Sequence, residues 1–283
     1  MDKCTYEESV QWMRSQPEHA ALTKQCYLDE DNLIAAKRFT MSEEFAAVEA
    51  FLGLNKSRKG LKILDLGCGN GIASYAFASL GHDVSAIDPD SSRDVGLEAT
   101  ARLASSVGAG SILTFCSFAE SLPFPDATFD IVFARQSLHH FQDLRKGVAE
   151  CSRVLRSVGT FFATREHVVT DEEQLKTFLA EHLLHKFHGG EHAYPLKEYL
   201  SVLQGAGLRV VRCLAPYDSV INHFPESNMQ IRVRFYEATL QKYGRWITPI
   251  LWRMPIAEKK YRHRLSAEYD VPGRMYSFLC VKD

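Results

Sequence analysis

The stretch Ile63-Leu-Asp-Leu-Gly-Cys-Gly-Asn-Gly71 constrains the fold of this chain more than any other part of it. An apolar run of strand character ends in three glycines, and apolar residues at helical spacing follow from Ile72. Glycine adopts positive φ values and lets a ligand approach the backbone closely. Ligands of open parallel sheets bind at the carboxyl ends of the strands. The stretch therefore predicts a strand, a ligand-binding turn and a helix.

Short apolar runs alternate with amphipathic stretches from residue 61 onward. Strands that alternate with helices predict right-handed crossovers and a doubly wound, mostly parallel α/β sheet. The predicted strands are 61–66, 83–87, 111–115, 129–134, 160–164, 208–214 and 275–281. The predicted helices are 42–52, 72–80, 91–105, 143–155, 171–187 and 196–206.

The two ends of the chain predict helical additions to this sheet. Residues 1–55 mix polar and apolar residues at helical spacing and are predicted to form an N-terminal lid, with Ser42 capping one helix and Gly53 ending it. Residues 56–283 form the predicted main domain. Within it, 217–272 is too long for a plain loop, so we predict a helical cap inserted before the last strand.

Two acidic residues distinguish between candidate ligands. In a dinucleotide-binding G-x-G-x-x-G turn the third glycine would stand at Ile72, and Asp65 would repel a pyrophosphate. The same carboxylate suits a ligand that carries an ammonium and a sulfonium, such as S-adenosylmethionine (SAM). Asp88 ends the next predicted strand, where a carboxylate can accept hydrogen bonds from ribose hydroxyls. The pattern favours SAM over NAD.

Several motifs follow this turn in a fixed order, and the set resembles the class I SAM-dependent methyltransferases, in particular the small-molecule type 11 group. The resemblance covers roughly residues 60–165. It implies a Rossmann-like sheet of seven strands with an antiparallel last strand, and SAM as cofactor. The motifs are Ile63–Gly71, Asp88, Leu122-Pro-Phe-Pro-Asp126, Phe129-Asp-Ile-Val132, Leu138-His-His140 and Arg153-Val-Leu-Arg156 with Gly159.

The resemblance also implies which residues bind the cofactor. Asp88 would hold the ribose, Pro89 would pack beside the adenine, and Gln136 would lie at the mouth of the site. Phe118 stands where the family often has an Asp that binds the adenine amino group, which leaves that contact to backbone and stacking. The methionine part would contact Asp65, Gly67, Cys68, Gly69 and Gly71; the adenine edge Ala119 and Glu120; and the lid would contribute Tyr27 and Arg38.

Candidate catalytic residues follow the fourth and fifth predicted strands. Methyl transfer to a hydroxyl benefits from a general base, and His139, His140 or Glu166 could serve. One of the two histidines could instead cap a helix or form a hydrogen bond in the core, and Glu166 could instead lie in a solvated loop. Predicted substrate contacts are Arg165, His167, Glu191, His192 and Tyr194. The histidines between residues 185 and 192 straddle Gly189-Gly190 without a matching scaffold, so we predict no metal site.

The segment 230–264 is strongly basic, with nine Lys and Arg against two acids, although the whole chain has a formal net charge of −2. It also contains Trp246 and Trp252. Three interpretations stay open: a solvated helical cap, a surface that contacts a membrane or a lipid-linked substrate, and an RNA contact. RNA is the least favoured, because no RNA-binding module accompanies the segment. Nucleic acid is therefore not an expected partner.

The remaining features predict a cytoplasmic enzyme with a small-molecule acceptor. The seven cysteines form no C-x-x-C pair, residues 1–8 are polar, and no apolar run reaches the roughly 18 residues of a membrane span. The fourth strand ends in Ala134-Arg-Gln136 and not in the pattern of amino-group methylation, which favours oxygen, as in sugar or secondary-metabolite acceptors. An N-methyltransferase, a SAM-binding regulatory protein without turnover, and an NAD-dependent oxidoreductase are the alternatives.

Overall fold

The chain folds around one twisted sheet. The computed structural model describes residues 5–54 and 58–283. The strands are β1 Lys62–Leu66, β2 Asp83–Asp88, β3 Ser111–Cys116, β4 Phe129–Arg135, β5 Leu155–Val169, β6 Tyr194–Pro195, β7 Leu208–Leu214 and β8 Arg274–Lys282. The sheet order is β3-β2-β1-β4-β5-β8-β7, with β6 paired to the end of β5.

Pairing within the sheet is parallel from β3 to β5 and antiparallel on both sides of β8. The doubly wound, mostly parallel Rossmann-like fold is therefore confirmed, including the antiparallel last strand. The sheet gains an eighth strand over the expected seven, since the two-residue β6 adds to β5 at Val168 and Val169. The central strand β1 is buried on both faces because helices cover both sides of the sheet.

Helices cover the sheet and extend from it. Within the described residues they are α1 Tyr6–Ser15, α2 Ala20–Gln25, α3 Asn32–Thr40, α4 Glu43–Leu52, α5 Ile72–Ser79, α6 Leu97–Ala104, α7 Leu144–Val154, α8 Glu172–Glu181, α9 Leu183–Phe187, α10 Leu196–Gly205, α11 Val220–His223, α12 Asn228–Trp252 and α13 Pro255–Glu268. Short 3-10 turns lie at Pro17–His19 and Leu138–His140.

Local capping explains where several of these helices begin and end. Ser42 accepts a hydrogen bond from the Phe45 amide, and Gly53 ends α4 with a φ of 62°, as the sequence predicts. The predicted helix 91–105 begins only at Leu97, because the Asp90 carboxylate binds the Ser92 amide and hydroxyl and holds a turn there. The predicted helix 171–187 is broken at His182, where ψ is 115°.

The additions at the two ends of the chain are helical. Helix α3 packs on α5 beside the glycine turn. Helix α4 is fixed to the sheet by the buried Glu44, which pairs with Arg135 at 2.7 Å. Residues 217–272 contain α11, α12 and α13. The division into a lid, a main domain and a cap stays a prediction, and its boundary at 55/56, like Cys4, lies outside the described residues.

Candidate active site

A cavity of about 840 Å³ opens at the carboxyl ends of β1, β2 and β4. Its volume is in the range of sites for cofactors and small molecules. The cavity brings together thirteen of the residues that the sequence predicts for cofactor binding, catalysis or substrate binding, and these come from the carboxyl ends of β1, β2, β4 and β5 and from the loops after β3 and before β6. These are Asp65, Gly67, Cys68, Gly69, Asp88, Pro89, Ala119, Glu120, Gln136, His139, His140, His167 and Glu191.

The glycine turn after β1 forms the floor of the cavity. Gly67 has a φ of 65°, and a Cβ on it would lie 2.2 Å from the Ser137 hydroxyl oxygen, so no other residue fits without rearrangement. The Gly69 amide donates to the Asp88 carboxylate at 2.9 Å. Gly71, with a φ of 77°, lies behind the turn against Thr100 and does not line the cavity. Bare backbone therefore faces the space where a ligand would lie.

Two carboxylates flank this turn. Asp65 is almost fully buried, and burial raises its pKa to about 6, although the Ser74 hydroxyl donates to it at 2.5 Å and lowers the pKa in part. Burial also raises the pKa of Asp88, whose two oxygens accept from the amides of Gly69 and Asp90. A buried carboxylate is stabilised by a cation or by further donors. The pair therefore suits a ligand with an ammonium at one end and hydroxyls beyond it.

The N-terminal helices contribute to the roof of the cavity. Tyr6, Cys26 and Leu28 line it. Tyr27 does not line it: its ring is buried against Phe39 and Phe224, and its backbone carbonyl accepts from the Asn70 amide group at 2.9 Å. The lid thus contacts the glycine turn through backbone as well as side chains.

Arg38 likewise lies outside the lining of the cavity. Its guanidinium binds both oxygens of Asp29 at 2.7 and 2.8 Å and the carbonyl oxygen of Lys24. In this conformation Arg38 ties α3 to the loop before it. Direct contact of Tyr27 and Arg38 with a cofactor stays a prediction.

The Glu166 carboxylate fixes the turn after β4. It is fully buried and accepts from the amides of Ser137, Leu138 and His139, and Nδ1 of His139 lies 2.7 Å from it. These four contacts occupy the acceptor sites of both oxygens. Glu166 does not line the cavity, so in this structure it positions the turn and the His139 ring.

His139 belongs to a group of four polar side chains beside this turn, the histidine group, together with His140, His167 and Glu191. His139 Nε2 lies 3.5 Å from Glu191 Oε2, and His140 Nε2 lies 3.9 Å from the same oxygen. His140 Nδ1 is 3.1 Å from the Gly190 carbonyl oxygen, and His167 Nδ1 is 2.9 Å from that of Gly273. A carbonyl can only accept, so in both rings Nδ1 carries a proton, and in the neutral ring Nε2 carries the lone pair.

Charge is unevenly distributed over these histidines. Burial lowers the pKa of the His139 imidazolium, but the Glu166 and Glu191 carboxylates outweigh burial and raise it to about 9. Burial and the neighbouring His139 lower the pKa of His167 to about 3. Burial raises the pKa of Glu191, but the histidines around it bring it down to about 2. His139 therefore lies between two carboxylates, Glu166 and Glu191, while the neighbouring ring of His167 is neutral.

Three predicted substrate contacts lie elsewhere. Arg165 is half-buried, does not line the cavity, has a φ of 61°, and donates to the carbonyl oxygens of Ile221 and Phe224. The rings of His192 and Tyr194 stack on each other with centroids 4.3 Å apart and do not line the cavity. Their contact with substrate stays a prediction.

The cavity also contains residues that the sequence analysis did not single out. Arg135 lines it while paired with Glu44, and Tyr6, Ser137 and His182 line it as well. Arg135 is the last residue of β4 and follows directly on the predicted strand 129–134, so its place at a carboxyl end is predictable from the sequence. Its pairing with Glu44, 91 residues away, leaves no signal in the sequence.

The basic segment 230–264 forms α12 and α13, with a break at Gly244. Four of its arginines pair with acids: Arg232 and Arg262 with Glu258, Arg234 with Glu226, and Arg264 with Glu268. No helix among residues 5–54 and 58–283 has the length and apolar character needed to cross a membrane.

Comparison with known proteins finds similarity to methyltransferases. Residues 64–163 match the model of a family described as a methyltransferase domain. The uncharacterized methyltransferase YcgJ of Bacillus subtilis (strain 168) is 34% identical over 118 residues, which are 42% of this chain and 45% of that protein. A ubiquinone biosynthesis O-methyltransferase of Rhizobium leguminosarum bv. trifolii is 32% identical over 136 residues, 48% of this chain and 52% of that protein.

The chain spans about half the length of the curated relatives it matches. Among solved structures, the [4+2]-cyclase SpnF aligns with a TM-score of 0.55 and 20% identity over 89% of this chain and 82% of that chain. This similarity confirms the fold alone.

Proposed function

We propose that this chain, whose residues 64–163 match a methyltransferase-domain family, is a class I SAM-dependent methyltransferase that transfers a methyl group from SAM to a hydroxyl oxygen of a small or medium-sized acceptor. One observation carries the proposal: a bare glycine turn, two carboxylates (the buried Asp65 and the half-buried Asp88) and a histidine group share one cavity. The first two suit the cofactor, and the third lies where an acceptor would meet it.

The residues present fit SAM. Gly67, Cys68 and Gly69 line the cavity, and a Cβ on Gly67 would collide with the Ser137 side chain, so the turn keeps its bare backbone. Asp65 is a buried carboxylate without a cationic partner among the described residues. In the proposed complex Asp65, Cys68 and Gly69 contact the methionine part, and Asp88 accepts from the ribose hydroxyls. Pro89, Ala119 and Glu120 flank the adenine, and Gln136 lies at the mouth of the site.

Bound SAM supplies a methyl group on a sulfonium, which is already activated for in-line displacement. The chain then needs to align the acceptor oxygen, exclude water and take up one proton. We assign the proton to His140 Nε2, because its Nδ1 faces the Gly190 carbonyl and its side chain, about 45% exposed, reaches the cavity. Glu166 acts as a positioning residue that holds His139 and the turn.

The nature of the acceptor is a further part of the proposal. A relative named ubiquinone biosynthesis O-methyltransferase supports oxygen as the atom methylated. Neutral imidazole is a suitable base for a hydroxyl near pH 7. We therefore propose hydroxylated, sugar-like or secondary-metabolite acceptors in a cytoplasmic setting, with an N-methyltransferase and a SAM-binding regulatory protein as the alternatives to be tested.

Cofactor binding is the first prediction. Calorimetric titration should show micromolar binding of SAM and of its demethylated product, and none of NAD. Asp88→Ala removes hydrogen bonds to a charged group, each contributing about 1.5–3 kcal/mol, so SAM should bind roughly 10- to 100-fold more weakly. Asp126→Ala, at a 78% exposed side chain outside the cavity, is the matched control. Binding of NAD in place of SAM would refute the cofactor assignment.

SAM affinity should depend on pH through Asp65. Its pKa of about 6 means that the carboxyl group is largely neutral at pH 5 and ionised at pH 7. The ionised form attracts the ammonium of SAM, so affinity should rise up to tenfold per pH unit below 6 and level off above it. Titrations from pH 5 to pH 7 measure this slope. An equal slope in Asp65→Asn would show that another group is responsible.

Turnover tests the methyl transfer itself. Release of demethylated cofactor should be seen when SAM is mixed with hydroxylated acceptors, beginning with phosphate-bearing sugars. His140→Gln should lower kcat by roughly 10²–10⁴ with SAM affinity unchanged, because the base is lost and the cofactor site is not. His263→Gln, at an exposed position on α13, is the control. SAM binding without turnover on any acceptor would favour the regulatory protein.

Membrane contact through residues 230–264 is proposed on two features of this surface. Trp246 and Ile250 are 80% and 62% exposed and stand four residues apart on α12, so they share a face. Five exposed cations accompany them and form no ion pair within the described residues: Lys242, Arg245, Arg253, Lys259 and Lys260. Exposed Trp and Ile beside cations are typical of surfaces that bind anionic headgroups.

Vesicle sedimentation tests this contact. The chain should bind phosphatidylcholine vesicles that contain phosphatidylglycerol, and binding should weaken with salt. Trp246→Ser combined with Ile250→Ser should reduce binding by at least about tenfold, because each apolar side chain contributes roughly 1.5–3 kcal/mol when buried. Val158→Ser, at a 79% exposed position outside the segment, is the control. Equal binding of the double variant and wild type would assign the segment to a solvated cap.

A further inference from the structure

Three buried side chains converge beside the acceptor end of the cavity. His139, His167 and Glu191 each offer a ligand atom, and these atoms lie within 4.8 Å of one another. His139 is 2% exposed, His167 is 5% exposed, and the Glu191 side chain is 8% exposed. They come from the turn after β4, from the end of β5 and from the loop before β6. Only the tertiary fold brings them together.

Both histidines have the outer contacts that metal-binding histidines have. Nδ1 of His139 faces the Glu166 carboxylate at 2.7 Å, and Nδ1 of His167 faces the Gly273 carbonyl at 2.9 Å. Metal-binding histidines usually donate one ring N–H to a carboxylate or a backbone carbonyl, which fixes the ring and leaves the other nitrogen for the ion. Here Nε2 of each ring is the nitrogen left for a ligand.

The third residue has an unsatisfied oxygen. Glu191 Oε2 is buried and has no hydrogen-bond partner within the described residues. Its nearest polar neighbours are His139 Nε2 at 3.5 Å and His140 Nε2 at 3.9 Å, and Glu191 Oε1 lies 3.8 Å from His182 Nδ1, which is also unpartnered. A buried carboxylate oxygen without a donor is costly unless a cation completes its surroundings.

The charges in this group also suit a cation. Glu166 and Glu191 bring two buried carboxylate groups close together, and a divalent cation would balance their charge. Two imidazoles and one carboxylate are a donor set that binds Zn²⁺ or Fe²⁺ and leaves coordination positions open.

We propose that His139, His167 and Glu191 bind one divalent transition-metal ion, with Glu166 and the Gly273 carbonyl orienting the two imidazoles. Ligand bonds of about 2.0–2.2 Å require the ligand atoms to move inward, to roughly 3.4 Å apart in a tetrahedral site. All three ligand residues line the cavity that also holds Asp65 and Asp88.

The ion's role at the acceptor rests on the proposed methyl transfer, whereas its binding does not. An ion at this position would bind the acceptor oxygen and lower its pKa, which makes the oxygen a better nucleophile. It would also select acceptors with two neighbouring oxygens, since two open positions can both be filled by one such molecule. His140, outside the ligand set, would take up the proton.

The experiment uses the full chain without a histidine tag, treated with EDTA and then dialysed. Titration with Zn²⁺ and Co²⁺ should show one ion per chain, with a Kd in the micromolar range or below. His167→Gln and Glu191→Gln should each weaken binding by at least 100-fold, and Glu166→Gln by about 10- to 100-fold. His263→Gln and Glu181→Gln, at exposed positions, should bind as wild type does.

Two further measurements keep the result interpretable. The visible spectrum of Co²⁺ bound to the wild-type chain should show the intense absorption bands that are typical of Co²⁺ with a low coordination number. This measurement does not depend on any variant. SAM titration of each variant checks that its cofactor site is folded. Metal binding without SAM affinity would refute the proposed function and leave the metal site, whereas SAM binding with no ion in the wild type would refute the metal site alone.

One alternative structure is distinguished by the same titrations. If His139 remains an imidazolium bridging the two carboxylates, wild type will take up no stoichiometric Zn²⁺ or Co²⁺. Equal ion affinity in wild type, His167→Gln and Glu191→Gln would likewise overturn the proposal, because the ion would then be bound elsewhere on the chain.

Discussion

The buried Glu166 carboxylate is the interaction on which the rest of the site depends. It lies at the end of β5 and accepts three successive amides of the turn after β4, together with the His139 ring. A buried carboxylate needs such donors to offset its desolvation, and these amides would otherwise be unpaired at the start of a 3-10 turn. Two neighbouring strand ends are thereby joined. Ser137 is held directly against Gly67, so the same contact also sets the floor of the cavity.

Ionisable side chains are stabilised in different ways at the two ends of the cavity. At the end beside the glycine turn, Asp65 and Asp88 accept hydrogen bonds from a hydroxyl and from amides, and burial still raises the pKa of both carboxyl groups. A cationic, hydroxyl-bearing ligand would stabilise both. At the other end, carboxylates and imidazoles compensate each other. The fold does not decide which chemistry follows, since a [4+2]-cyclase shares it. Specificity for a reaction therefore depends on the histidines and Glu191 at the other end of the cavity.

Much of the fold could be predicted because it depends on local rules. Seven strands, the Ser42 cap and the Gly53 terminus agree with the sequence to within a few residues, apart from β5, which extends well beyond its predicted bounds. The antiparallel last strand followed from the family resemblance and not from a local pattern. The prediction of a helix over 91–105 is wrong for residues 91–96, because side-chain hydrogen bonds at Asp90 compete with the helical backbone pattern. The spacing of apolar residues does not report such hydrogen bonds. The eighth strand, of two residues, is too short to leave a pattern.

The glycine turn with Asp65 and Asp88 was determined by the sequence itself, because close backbone approach and a strand-end carboxylate are properties of residue type and order. The partners of the buried charges were decided only by the tertiary structure. Glu44 meets Arg135 from 91 residues away, and His139, His167 and Glu191 meet from three separate segments. Such pairings depend on which strand ends become neighbours and on which charges are desolvated together, and both are consequences of packing that no local pattern encodes.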